Sequence, residues 1–158
     1  MVRKTGDTGV TTTEEVAALI AREFPQTKCG VREVGQGGAV VFHEIGREEL
    51  RPGGTVSGPT LMAVADLALY AAILGEIGIV PLAVTTSLTI NFLRKPSADR
   101  NIVGVCKLMK TGRSLAVGEV WLYSEGLPEP VAHVVGTYAI PPAPAAGWDI
   151  SPLLRAGP

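Results

Sequence analysis

Asp66 is the residue whose setting calls for a chemical explanation. It stands inside Leu61–Leu74, a run otherwise composed of Leu, Met, Ala, Val, Tyr and Ile. An ionised carboxylate among such neighbours is costly unless it is paired or hydrogen-bonded. Two structural readings are open, a carboxylate bonded inside the core and one facing a wet pocket. The chemical reading is a carboxylate that takes a proton from water or attacks a carbonyl carbon itself. No Gly-x-Ser-x-Gly elbow surrounds any serine, which argues against a Ser–His–Asp hydrolase. His43 and His133 fall in strand-like segments with no paired carboxylate evident, and both read as structural. Cys29 and Cys106 are too few for a disulfide framework or a zinc site and read as free thiols.

The element that must carry Asp66 is a helix. Ser57 is suited to cap it, because its hydroxyl can accept from a first-turn N–H. Pro59 fits the first turn, where its missing N–H costs least. The residues from Leu61 to Leu74 are good helix formers, and Gly75 is the expected stop. Apolar on every side, this helix should be buried all round. At 61–74 it is too short and too Ala-rich to span a bilayer, which takes about 20 apolar residues. Met1 to Asp7 leads into no apolar signal segment, so a cytoplasmic protein without membrane attachment is expected.

The rest of the 158 residues reads as one domain. A net charge of -1 without a clustered basic surface argues against nucleic acid as a partner. Residues 1–27 form an N-terminal extension with a short helix that starts near Thr12 or Thr13 and ends at Pro25. Residues 28–35 and 38–45 resemble a hairpin. After the central helix come strand-like segments at 83–94, 101–110, 114–124 and 131–140. In the first, Val84, Leu88, Ile90 and Phe92 alternate against Thr85, Ser87, Thr89 and Asn91, with Thr86 a hydroxyl on the apolar face. Thr86 is therefore a candidate to orient Asp66 or an attacking water, or else to bond a neighbouring backbone. The core spans 28–140, and 141–158 is a Pro- and Ala-rich tail lying over the surface or partly disordered. Consecutive strands with short turns favour an antiparallel sheet. A helix apolar on all sides implies that the sheet curls round it, with a second copy available to cover what remains.

The stretch from Gly53 to Asp66, then Val84 to Pro96, then Lys110-Thr-Gly112-Arg113-Ser-Leu-Ala-Val117, resembles the hotdog-fold acyl-CoA thioesterases, most closely the phenylacetate-degradation (PaaI-like) type. The resemblance covers about residues 30–140. It implies an α+β hotdog fold, a long central helix wrapped by a curved antiparallel β-sheet. It also implies a homodimer or a dimer of dimers, and hydrolysis of an acyl-CoA thioester with neither metal nor cofactor, coenzyme A being part of the substrate. Asp66 matches the family's catalytic carboxylate, and Gly58 the glycine whose N–H polarises the thioester carbonyl. Where many members carry His-Gly-Gly, this chain has Ser57-Gly58-Pro59, so the donor is Gly58 or Thr60.

Around these, Ser57, Pro59, Thr60, Met62, Tyr70 and Thr86 are candidate substrate contacts, Met62 and Tyr70 as walls of an acyl pocket. Arg94, Lys95, Lys110 and Arg113 are candidates for the coenzyme A phosphates, the Gly112-Arg113-Ser114 turn foremost. Asp66 lies eight residues past Gly58, about 12 Å along a helix at roughly 1.5 Å per residue. One thioester cannot reach both on the same helix. Two composite sites per dimer follow, each joining Asp66 of one chain to Gly58 of the other. A non-catalytic acyl-CoA or small-ligand binding protein of the same fold is the alternative. A hydratase or dehydratase ranks last, because no histidine lies near the helix start.

Overall fold

The structure, a computed structural model, describes residues 11–142. The expectation of an irregular tail concerns residues outside that range, apart from 141 and 142. Helix α1 (Thr13–Glu23) opens with a capping box in which Thr12 and Glu15 satisfy each other's backbone N–H groups. Val16, Leu19 and Ile20 bury its apolar stripe. The hairpin follows as β1 (Cys29–Gly35) and β2 (Gly38–His43). A short ribbon of β3 (Leu50–Arg51) and β4 (Thr55–Val56) then delivers the chain to helix α2 (Gly58–Ile77). Strands β5 (Val84–Phe92), β6 (Ile102–Thr111), β7 (Leu115–Ser124) and β8 (Pro130–Ala139) complete the core.

The six long strands form one antiparallel sheet in the order β1-β2-β6-β7-β8-β5. Helix α2 lies against it. Gly118 and Gly136 face each other across β7 and β8, and both sit directly under Leu69 of α2. Gly104 on β6 likewise lies under Val64. Side chains at these sheet positions would hold the helix off. Their absence lets Val64 and Leu69 reach the sheet floor, where both are fully buried.

Three expectations for α2 are corrected. The helix does not stop at Gly75 but runs on to Ile77. Gly78, at φ 100° and ψ 178°, takes a positive-φ conformation open to glycine and ends it. Gly75 is instead a packing position, since a β-carbon there would collide with Val34 Cγ1. Nor is the helix covered all round. Pro59, Met62 and Ala63 are exposed, while Asp66 and Leu67 are half-buried. Their spacing puts them on one stripe that the chain's own sheet leaves open. At 20 residues α2 is also long and apolar enough to cross a bilayer by length and composition, contrary to the shorter helix expected. However, 61% of that span is buried inside the fold, as befits a core helix.

The sheet edges differ. Beside β1, the Thr13 hydroxyl bonds both the N–H and the carbonyl of Val34, so α1 is tied against that edge. Strand β5 pairs only with β8 and leaves its other side free among the described residues. None of its nine residues is fully buried.

Candidate functional site around Asp66

Helix α2 projects Asp66 from its open stripe, one turn before Tyr70. The carboxylate is not bare. Thr85 Oγ1–H donates to Asp66 Oδ1 at 2.6 Å. The Tyr138 O–H donates to the same oxygen at 2.7 Å and lies 3.0 Å from the Asp66 carbonyl oxygen. Tyr138 is buried at the end of β8, and burial with the nearby Asp66 charge pushes its phenol pKa up, so it stays a donor. Asp66 Oδ2 has no hydrogen-bond partner among the described residues. The costly charge is thereby compensated on one oxygen and available on the other.

A cleft of about 390 Å³ opens beside it, walled by Asp66, Thr85 and Tyr138 with Phe24, Leu67 and Tyr70. Phe24 packs edge-on to Tyr70, ring centroids 5.5 Å apart, and the Tyr70 hydroxyl donates to the Pro81 carbonyl. Tyr70 thus lines the cleft. Met62 is exposed on the helix stripe and lines neither this cleft nor the second one.

The hydroxyl on Asp66 comes from Thr85, not Thr86. A β-bulge between Thr85 and Ser87 leaves Thr86 opposite no partner. Its hydroxyl bonds the Thr137 carbonyl at 3.2 Å and is exposed. The bulge also turns Thr85 to the same side as Leu88, which strict alternation forbids. Tyr138, 72 residues from Asp66, carries no local signal of its role. His133 has a carboxylate partner that the sequence did not show: it pairs with Glu119 at 3.0 Å and stacks on Trp121, on the outer face of the sheet. His43 is buried, with Nδ1 2.7 Å from the Glu44 carbonyl.

The start of α2 makes a second centre. The Ser57 hydroxyl caps the Thr60 N–H at 3.4 Å and meets the Thr60 hydroxyl at 2.8 Å. Pro59 occupies the first turn and is exposed. Gly58 lies against the Phe92 ring, at the far end of β5 from Thr85. A cleft of about 460 Å³ there is lined by Gly58, Phe92, Arg51, Arg94 and Lys95. Arg94 bonds the Pro130 carbonyl at 2.6 Å and pairs with Glu129, and Lys95 reaches the Gly53 carbonyl at 3.3 Å.

Lys110, Gly112, Arg113 and Ser114 lie at the β6–β7 turn, closed by a bond from the Gly112 N–H to the Leu115 carbonyl. They line neither cleft. The turn lies toward the Asp66 end of the sheet, because Ala116 pairs with Tyr138 and Tyr138 with Thr85. Among the described residues no three His, Cys, Asp or Glu side chains gather so as to hold a metal ion.

The family assignment follows from residues 53–131, which match the Thioesterase superfamily and include the whole of α2 and β5. The chain belongs to the thioesterase superfamily. Among solved structures of similar fold is a candidate thioesterase from Silicibacter sp., 39% identical, with a TM-score of 0.79 over 87% of this chain and 97% of that one. A variant of the phenylacetic acid degradation protein PaaI from Thermus thermophilus is 27% identical, TM-score 0.64, over 73% and 96%. Zebrafish thioesterase superfamily member 2, 20% identical with a TM-score of 0.74 over 83% and 99%, shares the fold. No curated protein matches the chain. As a hotdog, PaaI-like member of the superfamily, the protein has the architecture its helix and strand pattern implied.

Proposed function

We propose that this protein is an acyl-CoA thioesterase that works as a dimer, with Asp66 as its catalytic carboxylate. The observation that carries the reading is an acid in the wall of a largely apolar cleft, hydrogen-bonded among the described residues on one oxygen only, within a thioesterase-superfamily chain. As general base, Asp66 takes a proton from water while the water oxygen bonds to the thioester carbon. The C–S bond then breaks, and coenzyme A leaves as a thiol after regaining that proton. As nucleophile, Asp66 bonds to the carbon itself, expels the thiolate, and water cleaves the resulting anhydride. Solvent oxygen-18 appearing in Asp66 after a single turnover marks the second route.

The second half of the site comes from a partner. In one chain Asp66 contacts Thr85 at the start of β5, while Gly58 contacts Phe92 at its end. Strand β5 is an unpaired edge among the described residues, with Val84 and Phe92 each more than half exposed. Such an edge is a template for pairing with another chain. Antiparallel pairing of two β5 strands about a two-fold axis sets the start of one beside the end of the other. That brings Asp66 of one subunit toward the α2 N-terminus of its partner, where the N–H of Gly58 or Thr60 serves the developing oxyanion. The same pairing sets Arg51, Arg94 and Lys95 of the partner subunit where coenzyme A phosphates would lie. The buried free thiols Cys29 and Cys106 fit a reducing, cytoplasmic compartment.

The test is thiol release from short, long and aromatic acyl-CoAs, with the Asp66→Ala protein as control. Hydrolysis of at least one, lost in the control, supports the reading. Binding without hydrolysis across the panel overturns it in favour of a ligand-binding protein.

A further inference from the structure

We propose that Tyr138 is a positioning residue for Asp66 and that the reaction runs through Asp66 Oδ2 alone. The proposal rests on Asp66 being the reacting carboxylate. Its own ground is the asymmetry of the hydrogen bonds. Thr85 and Tyr138, from β5 and β8, both donate to Oδ1, at 2.6 and 2.7 Å. Two donors occupy the lone pairs of Oδ1, so a proton taken from water has no place there. Oδ2 keeps its lone pairs, and it is the oxygen through which either route must pass.

Tyr138 does more than neutralise. Its hydroxyl also sits 3.0 Å from the Asp66 main-chain carbonyl, so one rigid phenol registers both the helix backbone and the carboxylate. The ring is held in turn by burial and by Tyr70, centroids 6.3 Å apart. Helix α2 and strand β8 are far apart in sequence, and this contact fixes the angle at which the carboxylate leaves the helix. Such fixing matters because a misplacement of about 1 Å in a reacting group can cost roughly 100-fold in rate.

The experiment compares Tyr138→Phe, which keeps the ring and removes the O–H, with Asp66→Asn on the same acyl-CoA. Tyr138→Phe is expected to lower kcat by about tenfold or more and leave KM within about twofold, since alignment rather than binding is lost. Thr85→Val should act in the same direction and Thr85→Ser should restore most of the rate, which carries the test if Tyr138→Phe does not fold. Unchanged kcat in Tyr138→Phe, with Asp66→Asn inactive, overturns the proposal and leaves the thioesterase reading standing. Full turnover in Asp66→Asn overturns that reading itself. A structure of Asp66→Asn gives an independent readout: the amide oxygen should face Thr85 and Tyr138, and the reverse orientation also overturns the proposal.

Discussion

Thr85 Oγ1 lies 2.6 Å from Asp66 Oδ1, and the contact exists because β5 bulges between Thr85 and Ser87. The bulge and the bond to Tyr138 give the side chain at position 66 two donors irrespective of its charge. An asparagine there still accepts both through its amide oxygen. Asp66→Asn should therefore keep its melting temperature within a few degrees while kcat falls by about 10²- to 10⁴-fold, the usual contribution of a positioned acid or base. Thermal unfolding by circular dichroism and the thiol-release assay measure the two effects separately.

A composite site makes a sharper demand. In a mixed dimer of Asp66→Asn and Gly58→Pro subunits, one site carries both defects and the other carries neither. Mixing two inactive homodimers after dissociation should restore activity, to about half of wild type per heterodimer. No recovery, with mixed dimers verified by mass spectrometry, would mean that each site lies within one chain. Met62→Lys, on the open stripe of α2, should weaken the dimer in sedimentation equilibrium and lower activity with it.

Gly75 tests the close approach of α2 to the hairpin. Alanine there gains about 1 kcal/mol of helix propensity. Its β-carbon would meet the buried Val34 side chain, and such overpacking costs roughly 1–3 kcal/mol. Gly75→Ala should be destabilised by up to about 2 kcal/mol in urea unfolding, the difference between those two effects. Adding Val34→Ala should cost less than the sum of the two single changes, because the second change vacates the space the first needs.

Lys28 and Glu49 tie the start of β1 to the loop before α2. The ammonium sits 2.6 Å from both Glu48 and Glu49, and the Glu49 carboxylate also accepts from the Gly46 N–H at 2.7 Å. The Lys28 contact and that N–H hold the Glu49 pKa below its usual value, while its Glu48 and Glu49 partners raise Lys28 to about 12. The Glu49 contribution is present above its unfolded pKa, about 4.3, and fades as pH falls through the lower folded value. That of Lys28 is present below its unfolded pKa, about 10.4, and fades as pH rises through the folded one. Glu49→Gln should therefore lower the melting temperature near neutral pH, with the gap to wild type closing as both proteins are taken into strong acid. Glu49→Ala also removes the acceptor of the Gly46 N–H, a bond worth roughly 0.5–1.5 kcal/mol net. The Ser57 N–H bonds the Glu49 carbonyl, so hydrogen exchange at the α2 N-terminus should quicken in either variant.

The sequence by itself determined the elements. Hydrophobic period, β-branched content and turn residues set the six long strands and α2 to within a few residues, because these signals are local. It also singled out Asp66, since a charge in an apolar run is conspicuous whatever the fold. Tertiary structure decided the strand order, in which β5 lies beside β8 and β2 beside β6. It also decided that Gly75 is a contact and Gly78 the stop. The partners of Asp66 were beyond local reading for the same reason. Thr85 faces inward only because a bulge breaks the two-residue alternation, and Tyr138 arrives from a strand 72 positions away. A residue's type and neighbours fix its propensity and its misfit, whereas which groups meet across space depends on how the whole chain closes.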